Sequence, residues 1–457
     1  MKELKRTRPV ETISADLTSD VAIIGGGIAG ISSAFFILKN TDKNVILLEA
    51  GKVAHGATGH NAGQLVALFE RPFHDIVREF GLDLSIEGMK DFQSAWPLLE
   101  EILKETRLKT PCYQFTGYKG FVDLAELLIH LKDKSLMSQG GIDIGEILVD
   151  EHSPLLPKIP SHYAHLYRTV SRETILCQLE TSDPHYFAAF SGRAGCMNSA
   201  LFCEELVGYL LSTYKERFLL VEESPVNILR LREHNACMEL HHHTVEAARV
   251  VLCTNGFEKI TIINEHGMDI NTKFHHLVEG WIGYMMGYVE KSDSKPTAIA
   301  YLPPHATIEH SDTYADPYVY LTRRPFNIND NQNNLVCVGG PEVSLPEASE
   351  YVPEHPHSRK AHVAMDTFVH STYAAAPKND IDYMFKWHGL MGYTPNGIRC
   401  IGPEPCNPVL LYNLGCNGIG ILPSIFGGKK ISRHINGEHV ERSIFDPFDA
   451  TCLLKYK

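Results

Sequence analysis

A continuous apolar run over residues 21–24 meets three glycines, Gly25-Gly26-Gly27. Helix-like apolar spacing follows over residues 31–38, and a second apolar run over residues 45–48 ends in Glu49. Short apolar runs bounded by turn residues read as buried strands, and spacings of three and four read as an amphipathic helix, so the start of the chain predicts strand, glycine turn, helix, strand. Residues 51–63 are then glycine-rich and weakly apolar, and lead into a predicted helix from Gln64 with no strand signal between. Helical spacing dominates from Pro72 to about Leu131, residues 132–190 are mixed, and residues 199–214 predict another helix. Strand-like segments follow at 218–221, 226–230 and 248–253, with polar–apolar alternation at 238–243. Residues 276–340 are strand-rich, at 281–289, 318–323 and 335–338, and a helix over 357–368 precedes a glycine-rich C-terminal region.

The opening unit has the layout of a dinucleotide site. Gly25, Gly27 and Gly30 form Gly-x-Gly-x-x-Gly around Ile28 and Ala29, and Glu49, next to Ala50, is the acid expected about 20 residues on. Gly25 permits the tight turn, Gly27 lets backbone amides approach a pyrophosphate, and Gly30 lets the helix pack on the sheet with its N-terminal dipole toward the phosphates. Glu49 would accept hydrogen bonds from a ribose. The competing reading, a glycine turn with no ligand, lacks a reason for the strand, helix, second strand and acid to fall in register.

Composition narrows the class. The chain has 457 residues, 44% hydrophobic and 21% charged, as in ordinary globular proteins, and is long enough for two or three domains or one interleaved architecture. A formal charge of −13 leaves no basic surplus for nucleic acid or an anionic membrane surface. The N-terminal residues do not read as a secretory signal, no apolar stretch approaches a membrane span, and eleven cysteines without a Cys-x-x-Cys pair fit a reducing compartment, so the cytoplasm is expected. His241-His242-His243 reads as an exposed strand, because successive strand side chains diverge and cannot converge on a metal; no metal site is expected. Hydrolase and kinase motifs are absent.

Three separated motifs carry a family resemblance. The first continues the glycine unit into Gly56-Ala57-Thr58-Gly59-His60-Asn61-Ala62-Gly63-Gln64; the second is Cys253-Thr254-Asn255-Gly256, with Val226 upstream. The third runs from Trp387-His388-Gly389-Leu390-Met391-Gly392-Tyr393 to Gly418-Ile419-Gly420. In these the chain resembles the flavin-dependent amine and amino-acid oxidoreductases, the superfamily of D-amino-acid oxidase, glycine oxidase and sarcosine oxidase, and looks most like its gamma-glutamylputrescine oxidoreductase-like members. The resemblance implies an α/β fold in which a Rossmann-like FAD-binding domain (residues 20–90, 191–260 and 385–457, after an arm at 1–19) is interleaved with a mixed-sheet α+β substrate domain (91–190 and 261–384). It implies FAD rather than NAD. The residues of the first motif would hold the flavin, Val226, Cys253, Thr254 and Gly256 its adenosine side, and Gly392, Gly418, Ile419 and Gly420 its closing segment. The implied reaction moves a hydride equivalent from the carbon beside a neutral amine to the flavin, leaving an imine that water hydrolyses.

Departures from the family pattern shape the remaining expectations. Met391 stands where relatives place a carboxylate-binding arginine, so a free amino acid is a less secure substrate unless Arg323 or Arg324 reaches the site; solvated ion pairs are the alternative for both. Neither the lysine nor the cysteine of monomeric sarcosine oxidases is present. His60 replaces the usual arginine of the flavin loop, and either a hydrogen-bonding imidazole or a covalent histidyl link is open. The expected catalytic residues are Met391, Tyr284, Tyr320, Arg324 and His388, with Trp281 and Tyr393 lining the pocket; strand register decides which way His388 faces. The expected reactants are a small primary or secondary amine or amino acid, with oxygen or another acceptor, and no nucleic acid. A flavin-binding subunit that has lost turnover is the alternative from a different class, and a nicotinamide-dependent dehydrogenase rests on the glycine fingerprint alone.

Overall fold

The computed structural model describes residues 8–256, 259–290, 294–301, 319–328, 331–345, 351–352, 354–377 and 379–447. Tyr318, Cys452 and the first residues of the arm lie outside them. The early strands are β1 (Leu17–Ile24), β2 (Val45–Leu48), β3 (Gln64–Leu65), β4 (Cys112–Phe121), β5 (Glu146–Asp150), β6 (Tyr167–Val170) and β7 (Ala188–Met197). The middle strands are β8 (Phe218–Val221), β9 (Ile228–Leu231), β10 (Ala236–Glu239), β11 (Thr244–Leu252), β12 (Thr261–Asn264), β13 (Glu279–Glu290) and β14 (Thr297–Tyr301). The last are β15 (Val319–Ile328), β16 (Asn331–Leu345), β17 (Phe385–Tyr393), β18 (Cys400–Pro403) and β19 (Leu410–Leu414). The helices are α1 (Ile28–Asn40), α2 (Phe73–Phe80), α3 (Leu82–Gln93), α4 (Ala95–Thr106), α5 (Leu124–Gln139), α6 (Arg172–Gln178), α7 (Ser199–Thr213), α8 (Asn271–His275), α9 (Arg359–Thr372) and α10 (Ile421–Ile435).

These strands form two mixed sheets, the α/β architecture expected from the sequence. The first runs β12-β9-β10-β11-β1-β2-β8, with β19 beside the C-terminal half of β11 and β18 beyond it. The second runs β17-β13-β16-β15-β14-β4-β7-β5-β6, with β3 on β7. Strand β7 and strand β17 belong to the second sheet and β12 to the first. In the first sheet β1 is flanked by parallel β2 and β11, Ile24 lying level with Leu48 and Leu252, so three strands end at one edge.

Helix α1 departs from the amphipathic expectation: residues 28–38 are all buried. It lies between the first sheet and α10, whose Gly428 allows the close approach: a Cβ there would lie 2.8 Å from the backbone of Ser32. A helix covered on both sides has no polar face to show. Gln64 begins a two-residue strand against Cys196 and Gly195 rather than a helix, and the first helix after it starts at Phe73. The helical stretch from Pro72 is interrupted by β4, whose Gly117, Lys119 and Gly120 dilute the apolar alternation although it pairs with β7 on one side and β14 on the other. His241 and His242 form the bend between β10 and β11, not a strand, because Glu239 and Thr244 pair and close the hairpin around them.

Candidate functional site

At the shared strand edge Gly25, Glu49 and Cys253 stand side by side. Gly25 has φ +111°, and a Cβ there would lie 2.6 Å from the carbonyl oxygen of Cys253; one on Gly30 would lie 1.9 Å from the carbonyl oxygen of Gly25. The first glycine therefore turns the chain within a crowded edge, and the last lets α1 cross the strand end directly. Glu49 accepts from the amides of Gly26 (2.6 Å) and Gly51 (2.8 Å), which fixes its carboxylate at the end of β2.

The glycine-rich loop is a clamp of local hydrogen bonds. Thr58 Oγ1 accepts from Ile28 N (3.0 Å), tying the loop to the first turn of α1. Asn61 donates to the carbonyls of Ala57 (3.2 Å) and Thr58 (2.9 Å) and accepts from Gly63 N (2.7 Å), while His60 Nδ1 donates to Gly56 O (2.8 Å). Trp387 Nε1 donates to His60 O (3.0 Å), joining the loop to the second sheet.

These parts wall a cavity of about 1040 Å³. Of the residues expected to hold the cofactor, Gly25, Gly27, Ile28, Ala29, Glu49, Gly56, Ala57, Thr58, His60, Asn61, Ala62, Gln64, Cys253, Thr254, Gly418, Ile419 and Gly420 line it. Ala50 and Val226 line an adjoining cavity of about 230 Å³ that shares Gly25, Glu49 and Thr254 with the first. Gly30, Gly63, Gly256 and Gly392 lie outside both linings and serve close packing: added Cβ atoms at the last three would lie 2.0 Å from Met197 O, 2.6 Å from Val278 and 2.6 Å from Asn255 O.

The cavity suits a long, anionic ligand. Helices α1 and α10 begin at Gly27 and Gly420, neither with a side-chain cap, and both starts line it, so two positive dipole ends face one space. Arg399 also lines it, fully buried; its guanidinium donates to Asn413 Oδ1 (2.7 Å), Asn413 O (3.0 Å) and Gly415 O (3.3 Å), and it makes no ion pair among the described residues. Burial lowers its pKa to about 10, the mark of a charge lacking a counter-ion. A pyrophosphate beside it would supply one. Arg399 was not singled out from the sequence; an arginine inside an otherwise apolar stretch before Cys400 was the available signal.

Beyond this end the cavity floor is one face of the second sheet. Small residues, Gly117 on β4, Gly192 and Ala194 on β7, Ala298 and Ala300 on β14, and Gly283 on β13, leave the space open. Met391 and Tyr393 of β17, Tyr320 of β15, Met285 of β13 and Glu342 of β16 also line it, with Glu70 from the segment after β3. Tyr393 donates to Glu342 Oε2 (3.2 Å), and Tyr320 donates to Met285 Sδ (3.0 Å). Trp281, paired across from Met391, does not line the cavity; its ring is edge-on to Tyr393 at 6.1 Å. Burial, then the neighbouring charge of Glu70, raises the Glu342 carboxyl to about 8. Glu70 is exposed to the open space of the cavity; desolvation by the surrounding walls raises its pKa and Lys119 partly restores it. Glu70, Glu342 and Lys119 were missed from the sequence because nothing in their local pattern marks them.

Three expected catalytic residues are placed elsewhere. Strand alternation turns Tyr284 and His388 to the opposite face: His388 Nε2 donates to His355 O (2.9 Å), its Nδ1 accepts from Tyr351 (3.1 Å), and Tyr284 packs on His357 and His388. Arg324 lies over Phe326, outside the lining. Arg323 is buried on the other face, bonded to Glu180 (2.7 Å) and to Tyr373, so it is a structural ion pair rather than a substrate clamp.

A glycine-turned strand edge, two convergent helix starts and a sheet-floored cavity define a dinucleotide-dependent enzyme of small molecules. The chain belongs to the DAO family, the FAD dependent oxidoreductases, whose model matches residues 20–433; FAD is its cofactor. It is 39% identical to gamma-glutamylputrescine oxidoreductase of Escherichia coli (strain K12) over 75 residues, which span 16% of this chain and 17% of that protein. Its fold is similar to that of glycine oxidase from Geobacillus kaustophilus, with a TM-score of 0.66 and 15% identity over 94% of this chain and 98% of that one. L-proline dehydrogenase from P. horikoshii gives a TM-score of 0.65 and 13% identity over 93% and 95%. Among the described residues no helix is long and apolar enough to cross a membrane.

Proposed function

We propose that the protein oxidises the C–N bond of a small primary or secondary amine, passing its electrons to oxygen or another acceptor. The observation that carries this reading is the substrate end of the cavity: two carboxylates, Glu70 and Glu342, stand there with Tyr320 and Tyr393, while Met391 occupies the position from which an arginine would grip an amino acid's carboxylate. Carboxylates and tyrosine rings attract an ammonium and repel a carboxylate. Two of the three lining arginines are committed, Arg71 to Glu79 (2.5 Å) and Arg193 to Glu100 (2.7 Å), and the third, Arg399, is bonded to Asn413 and Gly415. The bound flavin supplies the hydride acceptor. The protein's residues then have three tasks. Glu342, held by Tyr393, and Glu70 attract the ammonium; an unprotonated carboxylate there accepts the proton that the amine must lose before its carbon can give up hydride; and Met391, Met285 and Tyr320 keep the reacting carbon dry. The start of α10, which lines the cavity without a side-chain cap, would favour negative charge on the bound cofactor.

The interleaved partition into flavin and substrate domains belongs to the same proposal, supported by the segregation of the glycine-lined end on the first sheet and the carboxylate-lined end on the second. So does a cytoplasmic setting, supported by ten free cysteines among the described residues. Anaerobic titration of the purified holoenzyme with a panel of amines and amino acids tests the activity: one amine class should bleach the visible flavin bands. Bleaching by amino acids alone refutes the amine assignment, and bleaching by neither favours a flavin-binding subunit without turnover.

A further inference from the structure

Lys119 rises from β4 into the same cavity, on the face of the second sheet that carries Gly117. Its ammonium makes no hydrogen bond or ion pair among the described residues and stands over the Phe121 ring, 5.9 Å from its centre. The carboxylates around it do not neutralise it. Asp133 is held by the amides of Phe73 and His74 (2.9 Å each) and by His74 Nδ1 (2.8 Å), where it caps α2, and Glu126 and Glu70 act on the lysine only at longer range. His130, the other titratable group facing it, is neutral, burial and the lysine charge lowering its pKa to about 3. Burial also lowers the pKa of Lys119. A half-buried cation on a cavity wall without a direct partner is left available to a ligand anion.

We propose that Lys119 is the anchor of a second subsite that binds an anionic group, a carboxylate, at the far end of the amine substrate. This rests on the amine reading above, which it sharpens: the reacting nitrogen lies among Glu342, Glu70 and Tyr393, and the substrate chain crosses the small-residue floor to Lys119. Strand β4 lies two strands from β15, which carries Tyr320, and three from β16, which carries Glu342, so nitrogen and carboxylate are separated by about 10–15 Å at sheet spacing. Glu342 and the Lys119 ammonium, the latter with Glu126 and Asp133 nearby, stand on separate strands of one cavity, a spacing that suits an extended aminocarboxylate better than a short α-amino acid, whose two charges are adjacent.

The test compares 8-aminooctanoate with octylamine, equal in chain length and differing in the carboxylate, on wild-type holoenzyme, Lys119→Met and Lys119→Arg. The kcat/KM ratio favouring the aminocarboxylate should exceed tenfold in wild type, fall to near one in Lys119→Met and return in Lys119→Arg. Equal rates on the two substrates in wild type, or a ratio unchanged by Lys119→Met, overturns the subsite. A second readout needs no turnover: octanoate should perturb the visible flavin spectrum of wild type with a Kd that weakens at least tenfold in Lys119→Met. If no amine is oxidised but octanoate binding depends on Lys119, the amine reading fails and the anion subsite stands; if octanoate binds both proteins alike, the subsite fails on its own.

Discussion

The two ends of the cavity are built from different materials. At the strand edge of the first sheet the walls are backbone: glycines, helix starts and a loop whose polar side chains bond to its own backbone and to the first turn of α1. At the face of the second sheet the walls are side chains: tyrosines, methionines and isolated charges standing on a floor of small residues. A backbone site tolerates little variation where, as at Gly25 and Gly30, an added Cβ meets neighbouring backbone, whereas a side-chain site keeps its scaffold while its ligand preference changes. Cofactor binding and substrate choice are thereby separated within one cavity.

Substitutions at the first end should show the largest effects. Gly30→Val places a Cβ against the Gly25 carbonyl and overpacks the α1 crossing, at a cost of about 3 kcal/mol or more; the expected outcome is protein without bound flavin and a lowered thermal transition, read by absorbance and calorimetry. Arg399→Leu removes the one buried guanidinium facing the helix starts. With charge-assisted bonds contributing about 1.5–3 kcal/mol, FAD affinity should fall by one to two orders of magnitude, measured by flavin fluorescence quenching on reconstituted apoprotein. An unchanged affinity would place the pyrophosphate elsewhere.

At the second end the effects should be smaller and confined to the substrate. Glu342→Gln should raise KM for an amine about tenfold, as a charged hydrogen bond of roughly 1.5 kcal/mol implies, with bound flavin unchanged. In wild type this carboxyl ionises at about 8, so attraction for an ammonium should strengthen as pH rises through that value, and the variant should lose that rise. Stability carries the opposite sign. The folded protein holds the Glu342 proton between the ordinary glutamate value of about 4.3 and about 8 while the unfolded chain does not, so the apoprotein should lose stability as pH climbs across that window, and Glu342→Gln should flatten the loss. Tyr284→Phe, on the far face of the sheet, should change kcat/KM less than twofold; a larger loss would mean that the far face communicates with the cavity.

What the sequence determined by itself was the end made of backbone. Glycine is the residue that permits positive φ and close approach, so Gly25, Gly30 and the loop from Gly56 announce a geometry wherever they occur, and the acid at Glu49 follows at a fixed distance along one βαβ unit. Most of α1, β1, β2, β8 and α7 is legible for the same reason: local periodicity decides it. Tertiary structure decided the rest. Whether His388 or Met391 faces the cavity depends on a register set by pairing with β13, and β4 was hidden among helices because its partners are remote in sequence. Glu70, Glu342, Lys119 and Arg399 come from four separate segments, and each looks like an ordinary surface charge until the fold encloses it. Enclosure changes the cost of a charge, and no local pattern encodes which charges will be enclosed together.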